Sequence, residues 1–427
     1  ADGGRRAEGR QATAGGDRSR TGAAASGEAG LFVGREAELA ALMARLQRAL
    51  AEQPQAAFIV GEAGAGKTTL MQAFAQEAQE AVPELLIAGG EGNVFTGSEE
   101  PFLPFRGVLE MLTGEVRAPS AYGQASPYDT RRLQEAAPLA LQALVESGPE
   151  LMKAMLAPEQ LVRRVEAGNW GADDAAWVAE LRKLAGAETP QHIAAGATPN
   201  VLFEQYARVL QRLAGERPLL LLLDDLQWVD EGSANLLLHL GKRLGNARLL
   251  LLGAYRPGDV AQRRGDGRQA LQWMIGELQR DLDPLMVDLG QVEGMSFVND
   301  LLDSAPNRLD GVFRETLFRL TQGNPLFTIE LLRGMQERGD LVQDDEGTWS
   351  VGPALDWHTL PARVEGAIGE RLGRLDGRLQ EILQVASVEG EEFTAEVVAQ
   401  VLDMQRREVV QLLSRQLDRQ HRVVRSL

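Results

Sequence analysis

Residues 61–68 combine the residue types and the spacing that bind phosphate groups. They match the phosphate-loop pattern G-x-x-x-x-G-K-[ST], in which Lys67 and Thr68 are the last two positions. A loop of this kind directs several backbone N–H groups and the N-terminus of the following helix at one anion. Lys67 can then reach the β- and γ-phosphates and contribute to catalysis, and the Thr68 hydroxyl can bind Mg²⁺. The residues expected to bind a nucleotide here are Gly61, Glu62, Ala63, Gly64, Ala65, Gly66, Lys67, Thr68 and Thr69.

Two adjacent aspartates, Asp224 and Asp225, follow a run of five leucines over 219–223. A carboxylate at the end of a buried strand beside the phosphate-loop strand can bind Mg²⁺, which prefers oxygen ligands. We expect Asp224 to bind the metal together with Thr68, and Asp225 to orient or deprotonate the water that attacks the γ-phosphate. An isolated pair of aspartates more often begins a loop or caps a helix. The phosphate loop in the same chain favours the magnesium site.

Arg256 follows the next predicted strand, which covers 248–255. It should therefore lie at the carboxyl edge of the sheet, where ligands of open α/β sheets bind. An arginine at this edge can sense or stabilise the charge of a γ-phosphate, so Arg256 is a further candidate for catalysis. A surface arginine exposed to water is an equally good interpretation. Asp230 and Ser233 stand at the start of the next helical pattern, and helix capping accounts for both.

Strand and helix patterns alternate around these residues. The predicted strands are 56–60, 85–90, 219–223 and 248–255. That order is typical of an α/β fold in which helices flank a parallel sheet. Together with the phosphate loop, it predicts a P-loop NTPase. The strand and helix beside the loop also disfavour its interpretation as a glycine-rich turn that binds nothing. A helical pattern interrupted by Pro127, Pro138, Pro149 and Pro158 predicts a helical insertion over about 107–196.

The chain divides into four parts by composition and pattern. Residues 1–30 contain no large apolar residue, which predicts a disordered leader or linker. Beyond residue 257 the pattern is helical apart from a hairpin near 341–351. The last stretch predicts several helices and then a strand at 422–425, an order that suits a winged helix cut off inside its wing. The predicted parts are 1–30 as the leader, 31–257 as the P-loop ATPase domain, 258–360 as a helical, lid-like domain and 361–427 as a truncated winged-helix-like domain.

Composition excludes several classes of function. The chain of 427 residues contains no cysteine and four scattered histidines, which excludes disulfides, thiolate metal sites and a cysteine nucleophile. Its longest apolar runs are too short to cross a bilayer, and its start does not resemble a signal peptide. We therefore expect a cytoplasmic protein without a membrane partner. The formal net charge of −17 argues against a surface that coats nucleic acid. The lack of an initiator methionine suggests a piece of a longer chain.

Five segments together resemble the signal-transduction ATPases with numerous domains (STAND), a branch of the AAA-type P-loop ATPases. The segments are 32–36, the phosphate loop, 219–228, 255–257 and 323–327. The likeness is strongest to ATPase modules of large bacterial regulators and cyclase-linked proteins. It implies ATP or ADP and Mg²⁺ as ligands, held between an α/β domain, a helical domain and a winged helix. It also implies that Val33, Gly34 and Arg35 lie beside the adenine and ribose, and that Pro325 packs against the base.

The same resemblance implies a slow ATPase that acts as a regulatory switch in signalling or transcription regulation. Nucleotide state would control domain closure, a protein partner or self-assembly, although the chain lacks the Met-His-Asp motif that some members use. Two alternatives stay open: a scaffold that binds ATP or ADP without hydrolysis, and an AAA-type ATPase that engages DNA. Nucleic acid would bind only through flanking sequence or the winged-helix region. The arginines near the end of that region, which favour this alternative, are Arg406, Arg407, Arg415, Arg419, Arg422 and Arg425. A solvated helix face accounts for these arginines as well.

Overall fold

In a computed structural model, a parallel sheet of five strands organises the α/β part of the chain. The structure describes residues 34–92, 101–115, 127–167, 176–186, 198–262, 266–290, 294–353, 355–357, 359, 361–373, 375–390, 393–420 and 424. The strands are β1 (Gln55–Val60), β2 (Leu86–Glu91), β3 (Leu219–Asp224), β4 (Leu249–Tyr255) and β5 (Leu285–Asp288). Their order across the sheet is β2-β3-β4-β1-β5, and all neighbouring pairs are parallel. This arrangement confirms the predicted α/β class.

The leucines of β3 point alternately to the two faces of the sheet. Leu219, Leu221 and Leu223 belong to the hydrophobic core on one face, and Leu220 and Leu222 belong to the core on the other. Because side chains alternate along a strand, a strand that is covered on both faces must be apolar at every position. The burial of all five leucines on two faces therefore confirms the interpretation of this run as a buried strand.

Helices cover both faces of the sheet. They are α1 (Glu36–Leu50), α2 (Lys67–Ala81), α3 (Leu103–Leu112), α4 (Pro127–Ser147), α5 (Pro149–Met155), α6 (Pro158–Ala167), α7 (Ala176–Gly186), α8 (Pro199–Glu216), α9 (Glu231–Arg243), α10 (Pro257–Gln262) and α11 (Asp266–Leu282). Apolar residues of α1 and α2 pack on one face, and those of α3, α8, α9 and α11 pack on the other. The Asp230 side chain accepts a hydrogen bond from the Ser233 N–H at the start of α9, which confirms the predicted cap.

Helices α3 to α7 occupy the predicted insertion and share the core of one sheet face. Phe105 of α3 packs edge to face against Tyr206 of α8, with ring centroids 5.5 Å apart. The Tyr206 hydroxyl donates a hydrogen bond to the Phe105 carbonyl at 2.9 Å. A break predicted at Pro138 is wrong, because α4 continues through this residue. Burial of its neighbours Ala137 and Leu141 holds the helix in place despite the lost hydrogen bond.

Two features of the sheet differ from the sequence analysis. The predicted boundary at residue 257 is too early, because β5 pairs with β1 along residues 57–60. This strand has four residues and ends in the exposed Asp288, so it lacks the long apolar run that marked the other strands. Strand β3, which carries Asp224, was also expected beside β1. Instead β4 lies between them.

The rest of the chain packs around two further hydrophobic cores. One core unites α12 (Gly294–Asp303), α13 (Gly311–Thr321), α14 (Pro325–Arg338) and the antiparallel hairpin of β6 (Leu341–Gln343) and β7 (Trp349–Val351). The other includes residues of α16 (Gly377–Glu389), α17 (Ala395–Val401), α18 (Arg406–Gln411) and the π-helix Leu412–Gln420, after α15 (Ala362–Gly373). The hairpin near 341–351 is thus confirmed. The leader 1–30, Val33 and most of the predicted strand 422–425 lie outside the described residues.

Across the described ranges, no helix has the length and apolar character needed to span a membrane.

Candidate active site

The phosphate loop lies between the end of β1 and the start of α2. Gly64 and Gly66 have φ angles of +77° and +87°, in the left-handed region that glycine occupies without strain. Gly66 is the N-terminal cap of α2, so the unpaired N–H groups of the first helical turn are available at the loop. The Gly61 N–H donates to the carbonyl of Tyr255 at the end of β4 (3.3 Å). This geometry suits an anion at a helix N-terminus.

Lys67 is buried against the loop that it ends. Its Nζ donates hydrogen bonds to the carbonyls of Gly61 (2.9 Å) and Glu62 (3.1 Å). Burial lowers the pKa of the Lys67 amine to about 8, and the positive charge of Arg256 acts in the same direction. An ammonium group with little water around it and a guanidinium nearby is stabilised by any anion that binds beside it.

A hydrogen bond joins the two residues predicted to bind a metal ion. The Thr68 hydroxyl donates to Oδ2 of Asp224 at 2.7 Å. Oδ1 of Asp224 accepts from the Asp225 N–H, also at 2.7 Å. Asp224 is 3% exposed, and burial raises the pKa of its carboxyl group. A cation bound at this position would stabilise the charged carboxylate.

Further charged groups surround this pair. In the register of the sheet, Glu91 of β2 lies beside Asp224 of β3. Glu91 is exposed, and partial desolvation of its carboxyl group, together with the charges of Asp225 and Asp224, raises its pKa. Arg256 Nη2 lies 3.7 Å from Asp225 Oδ1. The structure thus brings together five side chains that the sequence analysis singled out: Lys67, Thr68, Asp224, Asp225 and Arg256.

The donor set fits magnesium. Thr68 and Asp224 offer oxygen atoms, which Mg²⁺ prefers, and a magnesium site is commonly completed by phosphate oxygens and water. In the part of the chain that the structure describes, no group of three or more His, Cys, Asp or Glu side chains is arranged to hold a metal ion.

The start of α14 contacts the phosphate loop. The Asn324 Nδ2 donates to the Ala63 carbonyl at 3.3 Å, and the Leu326 N–H donates to the Gly64 carbonyl at 3.2 Å. A Cβ atom on Gly64 would lie 2.7 Å from the Cβ of Leu326, so the two backbones approach closely. Pro325 stands between these two donors, beside the loop. The contact joins the helical part of the chain to the backbone that would cradle a phosphate.

Arg35 is linked to the same loop through Leu289. Its guanidinium donates to Glu38 Oε1 (2.8 Å) and to the Leu289 carbonyl (3.4 Å), and the side chain is buried. The Leu289 N–H in turn donates to the Val60 carbonyl, directly before the phosphate loop (2.8 Å). The neighbouring Gly34 has a φ of +71°. Arg35 therefore links the start of α1 to the backbone that follows β5.

Three contributors to the site received no role in the sequence analysis. Gln227 bonds to Asp225 and to the backbone of Arg256, and Asn324 bonds to the loop. Glu91 joins the carboxylates. The position of Gln227 two residues after Asp225 was the one available signal, but sequence alone does not tell where that turn directs its side chains.

Comparison with known proteins identifies one family. A model described as the AAA ATPase domain matches residues 31–252. No curated protein matches the chain. Among solved structures, the chain is similar to the Orc1 protein of Aeropyrum pernix, whose structure was solved in complex with DNA. That alignment has 15% identity, covers 91% of this chain and 84% of the other, and has a TM-score of 0.37. A likeness at this level carries no argument about function.

Proposed function

The chain belongs to the AAA ATPase domain family, and on that premise we propose that it binds ATP with Mg²⁺ and hydrolyses it slowly. The observation that carries the proposal is the hydrogen bond between Thr68 and Asp224, which joins the phosphate loop to the carboxylates at the end of β3. A phosphate loop alone suits many phosphate ligands. A loop joined to one carboxylate for the metal and a second for a water molecule supports hydrolysis of a nucleoside triphosphate.

Each side chain has a role in this proposal. Lys67 exchanges its carbonyl partners for phosphate oxygens. Thr68 and Asp224 hold Mg²⁺, which supplies positive charge beside the phosphates when it is bound. Asp225 orients a water molecule and accepts its proton as the water oxygen bonds to the γ-phosphorus and ADP leaves. Arg256 stabilises the charge of the transferred phosphoryl group.

Removal of the metal ion tests the ATPase proposal. Purified protein is expected to release phosphate from ATP with Mg²⁺ present, and the rate is expected to fall by about 10²-fold or more in EDTA, because the phosphates lose their main counterion. A coupled phosphate assay measures the rate, and Mg²⁺ added in excess over EDTA is the control. Equal rates with and without Mg²⁺ contradict the metal site. Tight ATP binding without phosphate release supports the non-hydrolysing scaffold instead.

We further propose that nucleotide state is passed to the helical part of the chain through α14. Asn324 and Leu326 donate hydrogen bonds to two carbonyls of the phosphate loop. A ligand that changes the position of these carbonyls changes the bonds to α14, and a ligand that holds them in place stabilises the bonds. Such a differential effect on two conformations is what a switch requires.

Asn324→Ser separates this contact from the folding of α14. Serine keeps the helix cap, because its hydroxyl can accept from the Phe327 N–H as the Asn324 side chain does (3.2 Å). It loses the amide donor to Ala63, a bond worth about 0.5–1.5 kcal/mol. We expect ATP to protect the first turn of α14 from amide hydrogen exchange in the wild type. In the variant, that protection should fall by about 2- to 10-fold.

The matched control is Asp310→Ser, which alters the cap of α13. The Asp310 side chain accepts from the Phe313 N–H at 2.9 Å, so the variant changes a cap of the same kind away from the loop. It should leave the protection of α14 by ATP as in the wild type. Equal protection in all three proteins rules out coupling through Asn324.

The finer family assignment is part of the same proposal. We propose a STAND-type regulator in the cytoplasm, with Val33, Gly34, Arg35 and Pro325 at the adenosine end of the nucleotide and with a protein partner or a second copy as its target. The DNA alternative has less support. Arg406 forms an ion pair with Glu396, and the net charge of the chain is −17. Binding to random duplex DNA at low salt, lost as salt rises, would favour that alternative.

A further inference from the structure

The turn after β3 directs one further polar side chain into the site. Asp225 has a φ of +50°, a left-handed conformation that aspartate tolerates better than most residues. Residues Leu226–Trp228 then form a 3₁₀ helix, in which the Trp228 N–H donates to the Asp225 carbonyl at 2.9 Å. The chain turns back in this way towards the end of β4. Gln227 is the residue that this turn brings beside both strands.

The amide of Gln227 is bonded at both ends. Its Nε2 donates to Oδ1 of Asp225 at 2.6 Å, and its Oε1 accepts from the Arg256 N–H at 3.0 Å. The residue is 1% exposed. One buried side chain therefore bridges the carboxyl ends of β3 and β4. It holds Asp225, the candidate base, and Arg256 at fixed positions relative to each other.

Leu226 anchors this turn in the hydrophobic core. It is buried in the hydrophobic core, and a Cβ atom on Gly253 of β4 would lie 2.6 Å from its Cδ1 and 2.8 Å from Phe58 Cδ1. The missing side chain at 253 thus provides the space that Leu226 fills. Because Leu226 precedes Gln227 directly, the amide of Gln227 starts from a fixed backbone.

The bonds of Gln227 decide which oxygen of Asp225 is used for other contacts. The hydrogen bond from Gln227 and the ion pair with Arg256 both involve Oδ1. Oδ2 takes part in neither contact, so under the proposed function it is the oxygen that would accept from the attacking water molecule. A carboxylate with one oxygen held in this way presents the other in a single orientation, and orientation of this kind is worth large factors in rate.

We propose that Gln227 is a positioning residue for hydrolysis, which fixes the Asp225 carboxylate and the Arg256 backbone relative to each other. The inference rests on the proposed ATPase function. A residue that only stabilised the turn would change the free energy of unfolding and leave the rate per folded molecule unaltered. A positioning residue changes kcat and acts through Asp225.

Gln227→Leu tests the inference in the whole chain. We expect kcat for ATP hydrolysis to fall by about 10- to 100-fold, while the Kd for ATP, measured by titration, changes by less than about threefold. In an Asp225→Asn background, Gln227→Leu should lower kcat by less than about twofold. A residue that acts through the Asp225 carboxylate has no effect once that carboxylate is gone.

The control is Gln205→Leu, which removes a glutamine of α8 that accepts from the Leu151 N–H at 2.8 Å. It loses a hydrogen bond of the same kind away from the site and should keep the wild-type kcat. If Gln227→Leu does not fold, Gln227→Glu provides the test, since it has nearly the same shape and keeps an acceptor for Arg256. As a carboxylate it loses the donor to Asp225 and adds a negative charge beside it, so it should lower kcat likewise.

The outcomes separate the two proposals. A wild type that releases no phosphate overturns the ATPase function, and this inference with it. A wild type that hydrolyses ATP while both Gln227 variants do so at the same rate overturns the inference alone. Equal fractional losses in the wild-type and Asp225→Asn backgrounds also overturn it, because the effect would then bypass Asp225.

Discussion

Asp225→Asn is expected to lower kcat for ATP hydrolysis by about 10² to 10⁴-fold, the range that general-base catalysis contributes. Asparagine cannot accept the proton of the attacking water. It adopts the left-handed conformation of residue 225 at least as well as aspartate does, and its oxygen can still accept from Gln227. We therefore expect the variant to fold and to bind ATP within about threefold of the wild-type affinity, because the phosphate contacts are unchanged. Phosphate release and ATP titration measure the two quantities.

Asp288→Asn is the matched control. Asp288 ends β5 at the same edge of the sheet, is exposed, and accepts a hydrogen bond from the Gly290 N–H (2.8 Å). The variant removes one negative charge near the loop without touching the carboxylates of β3. Its kcat should stay close to that of the wild type. If Asp225→Asn hydrolyses ATP as fast as Asp288→Asn does, Asp225 is not the base.

Gly323→Ala is expected to destabilise the chain by about 2–5 kcal/mol and to weaken ATP binding. Residue 323 has a φ of +68°, which costs alanine about 1–2 kcal/mol. A Cβ atom there would also lie 2.4 Å from the Cα of Gly294, at the start of α12. Two backbones touch at this point, so one helix must shift, at a further cost of about 1–3 kcal/mol. Because Asn324 and Leu326 follow directly, we expect the shift to weaken their bonds to the phosphate loop.

Gly339→Ala separates the two costs. Gly339 ends α14 with a φ of +79°, but a Cβ atom on it would meet nothing within 4 Å. The free energy of unfolding of this variant should fall only by the cost of the left-handed conformation. Its affinity for ATP should remain that of the wild type. Denaturant unfolding gives the free energies, and titration gives the affinities. Equal destabilisation by the two variants contradicts a role for the contact between Gly323 and Gly294.

The sequence predicts those parts of the site that depend on local patterns. The phosphate loop follows from a motif, and the leucines of β3 mark a strand buried on both faces, so the ends of both can be located. The sequence does not predict strand β5, because its four residues include an exposed aspartate. Only its pairing with β1 identifies it as a strand. The sequence also does not predict that β4 lies between β1 and β3, because the order of strands is a property of the whole sheet.

The roles of Gln227 and Asn324 could not be predicted for a related reason. Each forms a hydrogen bond to another element, at a separation that the spacing of residues does not encode. Asn324 lies 261 residues from its partner Ala63 in the chain. Such contacts depend on how helices and turns pack, and a pattern of residue types is compatible with many packings.

The burial of Leu226 fixes the end of β3, whereas the start of α14, which contacts the phosphate loop, is held less firmly. To swing Asp225 away from the phosphate loop, Leu226 would have to leave the hydrophobic core, at a cost of about 1.5–3 kcal/mol. Less than about one molecule in ten would be in that state at any moment. The first residues of α14, by contrast, are joined to the loop by two hydrogen bonds at its surface. If the chain acts as the proposed switch, we therefore expect nucleotide to move α14 relative to the end of β3, which stays in place.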